Sequence, residues 1–221
     1  MDLIELLKGW DTSLLLLING HFTPFFDNFM FAVSQKLVWI PLYLCVLYIL
    51  IKNWKKESVW LIIALILCIV ISDQIASGFL KNFVQRVRPS HDESLDGFIH
   101  LVNGYRSGMY GFASSHASNA VGFALLSSLI FKRQIYTYSI FIWAILTCYS
   151  RIYLGVHYPL DVLGGAAIGI IVALCCFRII KTFRPAILNP TYAEVDEIDD
   201  KLLIIILITS FLGIIIYSFF N

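Results

Sequence analysis

The sequence predicts an all-α integral membrane bundle of about six transmembrane helices preceded by N-terminal interfacial helices, and three observations carry that prediction. Hydrophobic residues fill 59% of the 221 positions, while charged residues fill only 14%. The mean hydropathy of +0.80 lies well above that of a water-soluble domain. Apolar runs bounded by charges reach the roughly 20 residues that cross a hydrocarbon core about 30 Å thick.

Taken in order, residues 1 to 33 form short apolar pieces broken by Gly9, Asp11, Gly20 and Pro24, each too short to span and therefore read as interfacial helices. Spans are expected at about 37 to 52, 57 to 80, 112 to 131, 135 to 155, 158 to 181 and 201 to 220. The first is short, so Lys52 must snorkel and Trp39 must sit at the interface. Between the second and third spans, the polar stretch 81 to 111 carries Pro89, Gly97, Gly104, Gly108 and Gly111 and reads as a loop over a site. A second polar segment, with Pro185, Pro190 and the acidic run from Glu194 to Asp200, reads as a tether to the last span. The expected organisation is 1–36 interfacial helices, 37–184 a transmembrane core, 185–200 an acidic tether and 201–221 a C-terminal transmembrane helix, with no internal repeat.

A formal net charge of +1 supplies no basic stripe and excludes a nucleic-acid partner. Cys45, Cys68, Cys148, Cys175 and Cys176 lie inside apolar runs without metal-ligand spacing and read as small core hydrophobes. Asp2 and Glu5 stand where a secretory signal needs positive charge, so no removable targeting peptide is expected.

Charge placement predicts orientation. Lys52, Lys55 and Lys56, then Lys132 and Arg133, then Arg178, Lys181 and Arg184 all fall on one side of the alternating spans, which should be cytoplasmic. The opposite side receives three short polar runs: Lys81 to Pro89 (KNFVQRVRP), Ala113 to His116 (ASSH) and Ser150 to Asp161 (SRIYLGVHYPLD).

Those runs hold the parts that metal-free phosphoryl transfer needs. Lys81, Arg88 and Arg151 are cations for phosphate oxygens, His157 with Asp161 is a nucleophile with an orienting acid, and His116 is a second imidazole for the leaving group. Lys81 and Arg88, seven residues apart, would share a face of a continuing helix that Pro89 stops. His157 and Asp161 are four apart, so a helix opening at Tyr158 to Pro159 would bring the carboxylate to one ring nitrogen and leave the other free. Ser114 opens a span, where its hydroxyl and the first free amides can face an anion. Arg86, Tyr105 and Arg106, with His100, are head-group candidates in or beside the loop, against a reading as solvated loop residues. Asp73 and Gln74 lie inside a span, where a hydrogen bond to a neighbouring helix competes with a functional role. Gly165 and Gly169 have the four-residue spacing of close helix packing.

The three runs resemble the motifs of the type-2 phosphatidic acid phosphatase family: Lys-x6-Arg-Pro, Pro-Ser-Gly-His and Ser-Arg-x5-His-x3-Asp. The first and third match at Lys81, Arg88 and Pro89 and at Ser150, Arg151, His157 and Asp161. In the second, Ala113 replaces Pro and Ser115 replaces Gly, while Ser114 and His116 stand. The resemblance covers about residues 60 to 175 and implies a lipid phosphatase that needs no metal and no cofactor. It also implies a covalent route: His157 attacks phosphorus, His116 protonates the leaving group and then activates water, and Lys81, Arg88, Arg151, Ser114 and backbone amides hold the oxygens. The family's second-motif Gly lends its N–H to phosphate, and Ser115 can do so if the backbone there does not require Gly.

The implied partner is a membrane lipid substrate in the bilayer of a bacterial inner membrane, with the catalytic face toward the periplasm or exterior. Undecaprenyl diphosphate is the first choice by analogy, then lipid A phosphate, with phosphatidylglycerophosphate or phosphatidic acid behind them. A lipid phosphotransferase and a non-catalytic lipid carrier are the competing readings. Oligomeric state is not encoded in any feature of the sequence.

Overall fold

Long apolar stretches with few breakers give helices, and the computed structural model, which describes residues 3–189 and 195–220, contains no strand among them. The elements are α1 Leu3–Asn19, α2 Pro24–Val33, α3 Ile40–Trp54, α4 Ser58–Asp73, α5 Lys81–Val84, α6 Ser115–Phe131, α7 Gln134–Tyr153, α8 Pro159–Phe183 and α9 Glu197–Phe220. Among the described residues, three helical runs are long and apolar enough to cross a membrane: Lys36–Val84, Pro159–Phe183 and Glu197–Phe220, with Ser115–Phe131 apolar but shorter. The first run contains α3 and α4, separated where Lys55 turns to φ 49°. Length and composition therefore mark α3, α4, α6, α8 and α9 but not the polar-flecked α7, and do not by themselves establish six crossings.

Three expectations need correction. Gly9 and Asp11 do not break the N-terminal helix: α1 runs unbroken for 17 residues. A single Gly or Asp costs a helix at most about 1 kcal/mol, and Asp11 is 4% exposed because other elements bind it. Trp39 is packed inside the bundle rather than presented on its surface; it is 2% exposed, donates its Nε1–H to the Val33 carbonyl at 2.8 Å and packs edge-on against Trp143. The acidic tether also ends earlier than expected, because Glu197, Asp199 and Asp200 form the first turn of α9, where carboxylates suit the positive end of the helix dipole. Pro185–Leu188 is a separate short turn, and Pro190 and Glu194 lie outside the described residues, as does Asp2.

The centre of the bundle is the α6/α8 pair. A Cβ on Gly165 would collide with the Ser114 carbonyl, and one on Gly169 with the Ser118 carbonyl and the Gly122 amide. The small residues thus bring the two backbones together, as their spacing predicts. This close approach sets the start of α6 beside the start of α8, and Ser114 N–H donates to the Asp161 carbonyl at 2.9 Å. Leu42, Ile49, Leu61, Leu126, Ile140 and Trp143 fill the core farther along.

Between α5 and α6 the chain doubles back. A bridge joins Val87 to Tyr110, Arg88 N–H donates to the Met109 carbonyl at 3.0 Å, and Gly111 N–H to the Arg86 carbonyl at 2.8 Å. Leu95 and Val102 anchor this loop in two small apolar clusters.

Candidate active site

Each predicted motif reaches one end of the bundle by a different local device. Tyr158 is the N-cap of α8 and Pro159 its first residue, so Asp161 falls in the first turn, as the four-residue spacing predicts. Asp161 Oδ2 accepts the Tyr158 N–H at 3.1 Å and lies 3.5 Å from His157 Nδ1, an ion-pair distance longer than a good hydrogen bond. His157 and Asp161 are 1% and 0% exposed.

Arg88 arrives by a route the helix argument did not foresee. The helix ends at Val84, Gln85 turns left-handed at φ 50°, and Arg88 is extended at φ −70°, ψ 153°. Lys81 and Arg88 therefore share no helical face. The following Pro89 disfavours helical angles at Arg88, and the bridge to Tyr110 holds it straight. Its Nη1 nevertheless donates to His157 Nε2 at 2.6 Å and to the Val156 carbonyl at 2.8 Å. The donor at Nε2 makes that nitrogen the lone-pair side of the ring and assigns the proton to Nδ1, facing Asp161.

Electrostatics keep this ring neutral. Burial, then the charges of Arg88, Arg151 and Lys81 and the nearby His116, push the His157 imidazole well below its ordinary 6.5. Burial, then the Arg151 charge, lowers Arg88 to about 10, which leaves it cationic at neutral pH.

Arg151 is 2% exposed and belongs to the same cluster; it donates to Ser34 Oγ, and its Nη2 to Tyr105 Oη at 3.5 Å. Lys81 Nζ donates to Ser77 Oγ at 3.2 Å, one turn earlier in a π-helical stretch Gln74–Leu80. Ser114 is the N-cap of α6, its hydroxyl accepting the Ala117 N–H at 3.4 Å. Ser115 is the first helical residue and keeps a negative φ, so its backbone does not require Gly. The N–H groups of Ser115 and His116 have no acceptor within their own helix. The His116 ring lines a cavity of about 220 Å³ with Ser34, Lys36, Tyr43, Asn119 and Trp143.

The head-group candidates have other engagements. Arg86 pairs with Asp11 at 2.7 Å and with Asp161 at 2.9 Å and lies 4.0 Å over the Tyr158 ring. Arg106 Nη1 donates to the Ser90 carbonyl at 2.7 Å. Tyr105 faces Arg151, and His100 binds Asp27 at 2.8 Å and stacks on Phe22. Asp73 accepts from Asn119 Nδ2 on α6 at 3.2 Å, the neighbouring-helix bond that competed with a functional role. Arg151 and Asp161 form no ion pair; Arg86 takes the carboxylate instead.

Sequence reasoning missed Asp11, Ser34 and Gly111. Asp11 carried a signal, an acidic side chain just ahead of the apolar run from Leu14 to Ile18. A Cβ at Gly111 would stand 2.6 Å from Asp161 Oδ2, so only Gly fits beside the carboxylate.

Residues 60–185, more than half of the chain, match the family model described as the PAP2 superfamily. The chain is 41% identical over 169 residues to a lipid A 4′-phosphatase of Bacteroides thetaiotaomicron, covering 76% of this chain and 75% of that protein. It is 37% identical over 177 residues to a lipid A 4′-phosphatase of Porphyromonas gingivalis, covering 80% and 75%. The fold resembles the crystal structure of a transmembrane PAP2-type phosphatidylglycerolphosphate phosphatase from Bacillus subtilis, with a TM-score of 0.63 and 18% identity over 81% of this chain and 89% of that one. The chain belongs to the PAP2 superfamily and is an all-helical integral membrane protein.

Proposed function

We propose that this chain is a metal-independent lipid phosphatase that works through a phosphohistidine on His157, and that its first substrate is a lipid A 4′-phosphate. The chain is an enzyme, a hydrolase of lipid phosphoesters. The observation that carries the finer reading is the setting of His157 between Arg88 at Nε2 and Asp161 at Nδ1. Asp161 holds the tautomer, and Nε2 presents its lone pair.

In the reaction, Nε2 attacks phosphorus as Arg88 exchanges its contact with the ring for a phosphate oxygen. The P–N bond forms as the P–O bond to the lipid breaks, and His116 gives its proton to the departing alkoxide. His116 then takes a proton from water, whose oxygen attacks phosphorus and restores His157. Lys81, Arg88, Arg151, Ser114 and the Ser115 and His116 amides carry the charge on the equatorial oxygens, each donor worth most where water is excluded.

Both relatives over three-quarters of their lengths are named lipid A 4′-phosphatases, which reverses the order expected from the family at large and puts undecaprenyl diphosphate second. We further place the site on the extracytoplasmic face of a bacterial inner membrane, with α3, α4, α6, α7, α8 and α9 crossing it and α1 and α2 at the interface. The support is the gathering of Lys52, Arg133 and Arg184 at the opposite end, where they pair with Asp199, Asp200 and Glu57. The test is phosphate release by purified protein in detergent with a chelator, across lipid A, undecaprenyl diphosphate and phosphatidylglycerophosphate. Chelator-resistant release, fastest on lipid A and lost in His157→Ala, is expected. Release that needs added metal, or transfer of phosphate to a lipid hydroxyl, would contradict the reading.

A further inference from the structure

We propose that Asp11 and Arg86 are positioning residues, a buried relay by which the N-terminal helix α1 fixes Asp161 and, through it, the nucleophilic ring of His157. The inference rests on the phosphatase reading for His157, and it extends the site to a helix that lies outside the region matched to the family.

Asp161 is a crowded carboxylate. Its Oδ1 accepts from Arg86 Nη1 at 2.9 Å, and its Oδ2 accepts the Tyr158 N–H at 3.1 Å while facing His157 Nδ1 at 3.5 Å. Because the group is 0% exposed, losing the Oδ1 partner would leave a buried anion lone pair unpaired, and the carboxylate would rotate to recover one. Rotation moves Oδ2 away from the ring, so Arg86 governs how His157 is held.

Arg86 cannot hold that geometry alone, since a long side chain resists few torsions. Its other nitrogen, Nη2, donates to Asp11 Oδ2 at 2.7 Å, and its plane lies 4.0 Å over the Tyr158 ring. The Tyr158 hydroxyl is tied in turn to Asp92 at 2.8 Å. A planar fork gripping one carboxylate with each terminal nitrogen is fixed in direction as well as distance.

Asp11 has a second bond that makes the relay rigid. Its Oδ1 accepts the Leu160 N–H at 2.8 Å, one of the free amides in the first turn of α8. One carboxylate therefore pins both the start of the helix that carries Asp161 and the guanidinium that orients it. This also accounts for the 4% exposure of Asp11 in the middle of α1.

The test compares the wild-type chain with Asp11→Asn, Arg86→Gln and Arg86→Lys in detergent. Three measurements are made: the kinetics of phosphate release from lipid A as kcat and KM, the melting temperature, and the rate at which diethyl pyrocarbonate modifies His157, followed by mass spectrometry. Asp11→Asn is expected to lower kcat about tenfold or more, the usual effect of losing a partner behind a working group. Its KM should stay within about twofold and its modification rate should rise. Arg86→Gln should lose more, and Arg86→Lys should recover part of the loss. A lower melting temperature with wild-type kcat would make the pair merely structural and overturn the proposal. Raised KM with unchanged kcat would make Arg86 a head-group ligand and overturn it equally. If Asp11→Asn does not fold, Arg86→Lys carries the same three readings. If the wild type releases no phosphate from any lipid, the phosphatase reading fails on its own, and the modification rate decides the relay: faster labelling in the variants supports it, equal rates overturn it.

Discussion

Buried charge gathers at both ends of the bundle, and the two ends use it differently. At the end away from the site, three cations meet carboxylates: Lys52 with Asp199 at 2.8 Å, Arg133 with Asp200 at 2.7 Å, Arg184 with Glu57 at 3.9 Å. At the site end, Asp161 is taken by Arg86, and no carboxylate among the described residues lies within ion-pair distance of Lys81, Arg88 or Arg151. Holding three cations near one another in low dielectric is costly, and a chain selected only for stability would pair them. Paired charges lock helices, while the surplus of positive charge fits a phosphate dianion.

If this contrast is right, mutations at the two ends should separate chemistry from stability. The largest effect is expected for His157→Ala, which should abolish turnover while the protein still folds; steady-state phosphate release reads it directly. Arg88→Ala should lower kcat by roughly a hundredfold or more, the loss seen when one preorganised donor to a developing charge is removed. Arg88→Lys should restore little, because an ammonium cannot serve the ring, the carbonyl and a phosphate oxygen with a planar fork. Gly111→Ala should resemble a motif mutation although it lies in none, because its Cβ would meet Asp161 Oδ2 at 2.6 Å and Arg88 Cγ at 3.3 Å.

At the far end, Asp200→Asn should leave kcat/KM unchanged and lower stability by about 1–3 kcal/mol, less than for a fully buried pair because the Arg133 side chain is 30% exposed. Unfolding followed by near-ultraviolet circular dichroism in detergent would show it. If Asp200→Asn instead lost activity, the division between the ends would fail.

Acid should weaken the site end too. His157 is held well below 6.5 in the folded state, so on acidification the unfolded chain takes up this proton first. Stability from His157 is present above about pH 6.5 and is lost as pH falls below it. His157→Ala should therefore flatten the acid side of the melting-temperature profile. The smallest effect is expected for Ser115→Gly, within about twofold in kcat, since Ser115 already sits at ordinary helical angles.

The motifs were legible because their logic is local. A four-residue spacing across a helix start brings Asp161 to His157, and a small-residue stripe sets α6 against α8, whatever the rest of the chain does. Arg88 reached the site for a reason its spacing did not reveal, since the seven-residue helix argument failed at Gln85 while the bridge to Tyr110 supplied the direction. Asp11 looks like a helix breaker from its neighbours in sequence because its partners, Arg86 and Leu160, lie 75 and 149 residues away. The acidic run before the last helix looked like a tether for the same reason: its cations, Lys52 and Arg133, come from other hairpins. Local pattern gives the parts of such a site, whereas long-range pairing of buried charge decides how they are held.

The proposed reaction turns on His157 carrying the phosphoryl group. The most direct measurement is rapid quench of the wild-type enzyme with lipid A bearing a labelled 4′-phosphate, followed by peptide mapping under alkaline conditions that preserve phosphohistidine. Acid-labile label is expected on the peptide containing His157, formed and lost at rates compatible with turnover. Full turnover with no label at His157 at any time would contradict it.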